Sequence, residues 1–189
     1  MVKSSIFAFA ILTASAASAA DVPPAMSHYI DNDLSAWVND PVIVAAIKAQ
    51  NAQTSGLSAE DILAKDTAWR AEVGTANTPL IKTVLDAPIS SFLKEHMDKS
   101  QGRILEVFVM DSQGLNVAAS GVTSDYWQGD EAKFTETYAK GPGSIFVDDV
   151  ELDESTQAYQ GQVSFAVTDP DTGNVVGAIT VGLNASAFF

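Results

Sequence analysis

The chain has 189 residues, 47% of them hydrophobic, and a formal charge of −14 from ten basic against twenty-four acidic residues. Such a surface repels phosphate backbones and anionic headgroups, which argues against nucleic-acid partners and peripheral membrane attachment but leaves room for a small anion held by a local cation or by backbone amides. Cysteine is absent, so disulfides, thiolate metal sites, cysteine nucleophiles and attached haem are excluded.

Lys3, the apolar run Ile6 to Leu12 and the small-residue end Ala17-Ser18-Ala19 have the order of a secretory leader. Residues 1–19 are therefore predicted to be a signal peptide, leaving residues 20–189 as a single periplasmic domain. The apolar run is too short to span a bilayer and no later segment is longer, so no membrane span is expected.

A helical part is predicted over about residues 28–100. Leu34, Trp37 and Val38 share a face, Asp40-Pro41 has the form of an N-cap with proline at the first helical position, and Val44, Ala45 and Ile47 continue an apolar stripe until the polar stretch Gln50 to Gly56. Ser58 and Asp61 have capping-box spacing before a helix that carries Ile62, Trp69 and Val73 on one side. Thr78-Pro79 opens another helix, and Pro88 breaks or restarts it before Ile89, Phe92, Leu93 and Met97.

From Ile104 to about residue 184 the period becomes extended. Ile104 to Met110 and Leu115 to Ala119 form a hairpin around Asp111-Ser112-Gln113-Gly114, and a short helix is expected within Asp130 to Tyr138. Strands follow at Ser144 to Leu152, Tyr159 to Thr168 and Asn174 to Leu183, the last two joined by the turn Asp169-Pro170-Asp171-Thr172-Gly173. Helices followed by about five strands in meander order give an α+β fold, with the helices on one face of an antiparallel sheet.

The loop after the hairpin supplies the candidate ligand contacts. Tyr126 and Trp127 offer apolar rings with polar tips, Gln128 and Asp130 offer hydrogen bonds, and Asp148, which ends the apolar run Ile145-Phe146-Val147, could point a carboxylate beneath that loop. Trp69-Arg70 could add a guanidinium fork for a carboxylate. The acidic run Asp148, Asp149, Glu151, Asp153 and Glu154 has the oxygen donors calcium takes, but strand alternation divides them between two faces, and no metal site is predicted. His28 and His96 lack ligand-spaced partners, and no nucleophile elbow or phosphate-cradling loop is present. No catalytic residues, enzyme activity or cofactor are therefore expected.

The stretch EVFVMDSQGLNVAASGVTSDYWQGDE followed by SIFVDDVELDESTQAYQGQVSFAVTDPDTGNVVGAITVGLN resembles the Cache, or PDC-sensor, branch of extracytoplasmic PAS-like domains, and WVNDPVIVAAIKAQN with the Trp69-Arg70 pair resembles the helical part of that family. The resemblance implies a PAS-like sheet of about five strands with N-terminal helices packed on it. It also implies a pocket between the sheet and the crossing loops, with Ser124 to Asp130 as the lid and Asp148 on the strand facing it. Domains of this kind sense amino acids, small carboxylates or similar metabolites for a membrane receptor or kinase. Asp125-Tyr126-Trp127-Gln128 stands where amine-binding members carry Arg-Pro-Trp-Tyr. The expected function is that of an exported small-molecule sensor domain reporting to a membrane partner; the alternative is a ligand-free interaction or structural protein of the cell envelope.

Overall fold

The structure is a computed structural model that describes residues 22–153 and 158–189. The leader read at residues 1–19 and Glu154 of the acidic run lie outside the described residues. No helix among the described residues is long and apolar enough to cross a membrane.

Helix α1 (Pro24–Tyr29) runs into a π-helical turn (Ile30–Leu34). Helix α2 (Pro41–Thr54) starts as its sequence demands: Pro41 needs no N–H partner at the first position, and the Asp40 carboxylate accepts from Val42 N at 2.9 Å. It does not end at Gln50. Ile43, Ile47, Gln50 and Thr54 fall at helical spacing, so the polar residues prolong the inward face by another turn, whereas Ala45 is exposed. Helix α3 (Ala59–Glu72) opens with a complete capping box, the Asp61 N–H donating to Ser58 Oγ and the Ser58 N–H donating back to the Asp61 carboxylate at 3.0 Å. Val73, expected beside Ile62 and Trp69, is the C-cap residue and lies exposed. Helices α4 (Pro79–Leu85) and α5 (Pro88–Lys99) each begin on proline, as the sequence predicts.

The strands are β1 (Ile104–Met110), β2 (Asn116–Ala119), β3 (Ile145–Val147), β4 (Glu151–Asp153), β5 (Ala158–Thr168) and β6 (Val175–Asn184), with α6 (Ala132–Thr135) between β2 and β3. All pairings are antiparallel, in the order β2-β1-β6-β5-β3, with β4 also on β5. The expected meander is corrected here: β6, last in sequence, lies between β1 and β5. The predicted strand Ser144 to Leu152 divides into β3 and β4, both of which pair with β5, so the five strand positions of the sheet carry six segments.

Alternation along β1 sends Val107 and Val109 to one face and Phe108 and Met110 to the other. The first face packs on Met26, Leu34, Ile43, Ile47 and Leu93. The second takes Ile62 and Trp69 of α3, Ile81 and Val84 of α4, and the loop residue Tyr126. Helices thus cover both faces instead of one, because α3 and α4 cross over to the Phe108 side. His96 stacks on Trp37 with ring centroids 4.3 Å apart, and burial lowers its pKa from the usual range, which fits a packing role.

Close packing at the top of β6 depends on Gly177. A Cβ there would collide with the Met110 carbonyl oxygen and lie 2.9 Å from the Ile47 side chain, whereas one on Gly121 would meet nothing within 4 Å. Gly177→Ala is expected to lower stability by roughly 2–3 kcal/mol in urea unfolding, with Gly121→Ala as the near-neutral control.

Candidate functional site

Asp111 closes the β1–β2 hairpin from inside. It is fully buried; its Oδ1 accepts from Gln113 N at 2.8 Å and Leu115 N at 3.0 Å, and its Oδ2 accepts from Gln50 Nε2 at 3.0 Å and Thr54 Oγ1 at 2.8 Å. One carboxylate therefore fixes the turn and ties it to the last turn of α2. Gly114, at φ 80°, lets the following loop fold back onto this turn: a Cβ there would lie 2.5 Å from Gly129 Cα. The returning segment pairs as an irregular extra strand, with Gln128 N donating to Gly114 O at 2.8 Å and Asn116 N donating to Tyr126 O at 3.0 Å.

Asp66 holds the same loop from the helix side. Its Oδ1 accepts from Tyr126 N at 2.9 Å and Trp127 N at 3.1 Å, and its Oδ2 accepts from Arg70 Nε at 2.8 Å. Arg70 Nη2 reaches Asp125 Oδ1 at 2.9 Å, so the guanidinium bridges helix and loop, and its hydrogen bond with Asp66 chiefly raises its pKa. Ile62, Asp66 and Trp69 share the inward face of α3, which makes an acid at a core position the sequence signal for this clamp.

The residues singled out from the sequence take different places. Trp69 is fully buried, donates its indole N–H to the Thr123 carbonyl at 2.8 Å and stacks on Tyr126 at 5.5 Å, so it supports the loop from below. Arg70 is occupied by the two aspartates. Trp127 is half-buried, with its indole N–H on Gln113 O at 2.9 Å. Gln128 is buried and donates to the Asp125 carbonyl at 3.0 Å. Asp130 is exposed. Asp148 does not come beneath the loop, because β3 lies at the opposite edge of the sheet from β2: its N–H still donates to Gln162 O at 2.8 Å, it and Asp149 are both exposed, and its Oδ1 accepts from Asp149 N at 2.9 Å. Tyr126 lines a cavity large enough for a metabolite.

That cavity, about 440 Å³, lies between α2, α3, α4 and β2, within the size range of small-molecule sites. Leu57, Leu80, Val84 and Val117 give it apolar walls, while Gln50, Gln53, Thr54 and Thr83 add polar groups. Lys65 is the one charged residue of the lining and makes no ion pair among the described residues. Asp61, one turn back, is held below the usual carboxyl range first by the Ser58 hydroxyl and N–H of the capping box and then by the charge of Lys65. Tyr126 is 7% exposed, and its hydroxyl makes no hydrogen bond among the described residues. Burial pushes that phenol up to about 12, with the charge of Asp111 adding to the shift, so it remains a neutral donor across physiological pH. Lys65, Gln50 and Thr54 were not legible as site residues: they belong to polar stretches that meet only through the tertiary fold. Among the described residues no group of three metal-binding side chains is present.

No family model matches the chain, and the search of curated proteins found no relative. Its fold is similar to several solved structures. The sensor domain of the histidine kinase DctB from V. cholerae aligns at 15% identity and a TM-score of 0.48, over 86% of this chain and 53% of that one. The extracellular domain of the putative histidine kinase rpHK1S-Z16 aligns at 14% identity and 0.45, over 78% and 56%. The ligand-binding domain of the C. jejuni chemoreceptor Tlp3 in complex with L-valine aligns at 15% and 0.43, over 86% and 64%. The chain thus spans from about half to under two thirds of their length, and TM-scores below 0.5 leave the functional reading to rest on its own geometry.

Removing the Asp66 carboxylate would strand two loop amides, whereas Arg70 is 60% exposed and water can replace its contacts. Asp66→Ala is expected to lower stability by roughly 2–4 kcal/mol in urea unfolding, and Arg70→Ala by a much smaller amount. Equal losses would place the clamp's strength in the ion pair instead of the amide bonds.

Proposed function

We propose that this chain is an exported sensor-type domain that binds a small polar metabolite in the cleft between α2, α3 and α4 and passes its bound state to a membrane receptor or kinase. The observation that carries this reading is that one cavity of about 440 Å³ is lined both by Tyr126, whose hydroxyl makes no hydrogen bond among the described residues, and by Lys65, which makes no ion pair among them. The order of the sequence blocks, which resembles that of Cache domains, supports the assignment to sensing, and the leader supports export.

The helix that offers Lys65 to the ligand carries, as its next residue, the Asp66 that holds the Tyr126 loop. A ligand bridging Lys65 and Tyr126 therefore braces α3 against the loop across the cleft, and this supplies a route from occupancy to shape. Trp127, Gln128 and Arg70 keep the loop in place, and Asp130 and Asp148 have no part in the contact.

A thermal-shift screen across amino acids, carboxylates, purines and polyamines tests the reading. A ligand at a hundred times its Kd is expected to add about 2.7 kcal/mol of stability, and Tyr126→Phe together with Lys65→Met should remove most of that gain. A gain that persists in the double variant would place the ligand elsewhere.

A further inference from the structure

We infer that Gln50 makes the cleft selective for a ligand that presents an N–H, an inference that rests on the cleft reading above and names the residue that sets its specificity. Gln50 lines the cleft from near the end of α2. Its Nε2 donates to Asp111 Oδ2 at 3.0 Å and lies 3.3 Å from Asn116 O and 3.4 Å from Leu115 O. All three neighbours are acceptors, so a flipped amide would set its oxygen against a carboxylate and two carbonyls. The nitrogen therefore faces the hairpin, and the oxygen faces away from it. That oxygen is not enclosed and makes no hydrogen bond among the described residues, which leaves it as a fixed acceptor on the cleft wall.

Asp111 holds the amide in this orientation. It is fully buried, and each of its oxygens accepts two hydrogen bonds, so it does not turn away from Gln50. Gln53, the other amide of the lining, is exposed and reaches only Ala49 O of its own helix, at 3.4 Å, so it can present either end and demands nothing of a ligand. Lys65 and the neutral Tyr126 hydroxyl supply donors, so the cleft matches a ligand acceptor to these two and a ligand N–H to Gln50. An analogue with a methyl group in place of the N–H suits the apolar walls equally well, but it covers the Gln50 oxygen without bonding it. A desolvated acceptor left unpaired costs affinity, and a site built around such a bond rejects the analogue that lacks it. The selection is for the N–H itself, on an amide or an ammonium alike.

Titration of the purified protein followed by NMR tests this with two isosteric pairs, butanamide against 2-pentanone and 2-aminobutanoate against 2-methylbutanoate. Each pair exchanges a nitrogen that carries hydrogen for a methyl group, and the first does so without a change of charge. The N–H member of each pair that binds is expected to do so at least fivefold more tightly. Gln50→Met should bring the two members within twofold by weakening the N–H member alone, with a circular dichroism spectrum that matches the parent. Equal affinities within either pair in the parent protein would overturn the inference, and this comparison decides it even where Gln50→Met does not fold. A preference that Gln50→Met leaves intact would overturn it as well. In both cases a loss of binding in Tyr126→Phe would keep the cleft as the site. Affinities unmoved by Tyr126→Phe together with Lys65→Met, or no binding of any of the four, would remove the cleft itself, and the inference with it.

Discussion

The buried carboxylate of Asp66 is the contact on which the rest of the proposed site depends. A loop leaving a sheet edge has no ladder partner for its amides, and buried amides must find an acceptor or the loop lifts into water. Asp66 supplies that acceptor from the centre of α3, taking Tyr126 N and Trp127 N on one oxygen and Arg70 on the other. The charge itself is compensated by a guanidinium that also reaches Asp125. Hydrogen bonds to an ionised group are stronger than neutral ones, so three such bonds are enough to hold a short irregular segment in one place.

Asp111 does the complementary work from the sheet side. It organises the β1–β2 turn and fastens Gln50 and Thr54 of α2 to it. The cleft lies between these two anchored parts, so its walls are set by two buried aspartates that do not themselves line it. A polar cavity framed this way is preorganised, which lowers the ordering cost of binding.

Where local chemistry decides, the sequence reads correctly. Pro41, Pro79 and Pro88 start helices, Ser58 with Asp61 forms its box, and the hairpin turn falls at Asp111 to Gly114. Where a long-range partner decides, it does not. The pairing of β1 with β6 has no local signal, and neither does the break at Asp148, where two exposed acids end a run that periodicity would have continued. The same division runs through the site. Tyr126 and Trp127 could be singled out as amphipathic rings beside a strand, but which ring faces a cavity and which clasps the turn follows from Asp66 and Gln113, residues distant from one another in sequence. Gln50 and Thr54 looked like a helix end because they are polar; their partner Asp111 lies far along the chain, and only that partner makes them inward-facing.

The central claim is that the clamped loop buries a protonated Tyr126 hydroxyl in the cleft. Its most direct test is ultraviolet difference titration of the phenols, comparing the parent protein with Tyr126→Phe to isolate the one ring. A phenol whose pKa is raised on folding leaves stability intact below its unfolded value of 10.0 and withdraws it as pH rises through the folded value of about 12. The account predicts that Tyr126 ionises near that upper value and that Asp66→Ala, by freeing the loop, brings it back toward 10.0. Ionisation of Tyr126 near 10.0 in the parent protein, or a value that Asp66→Ala leaves unmoved, would contradict it.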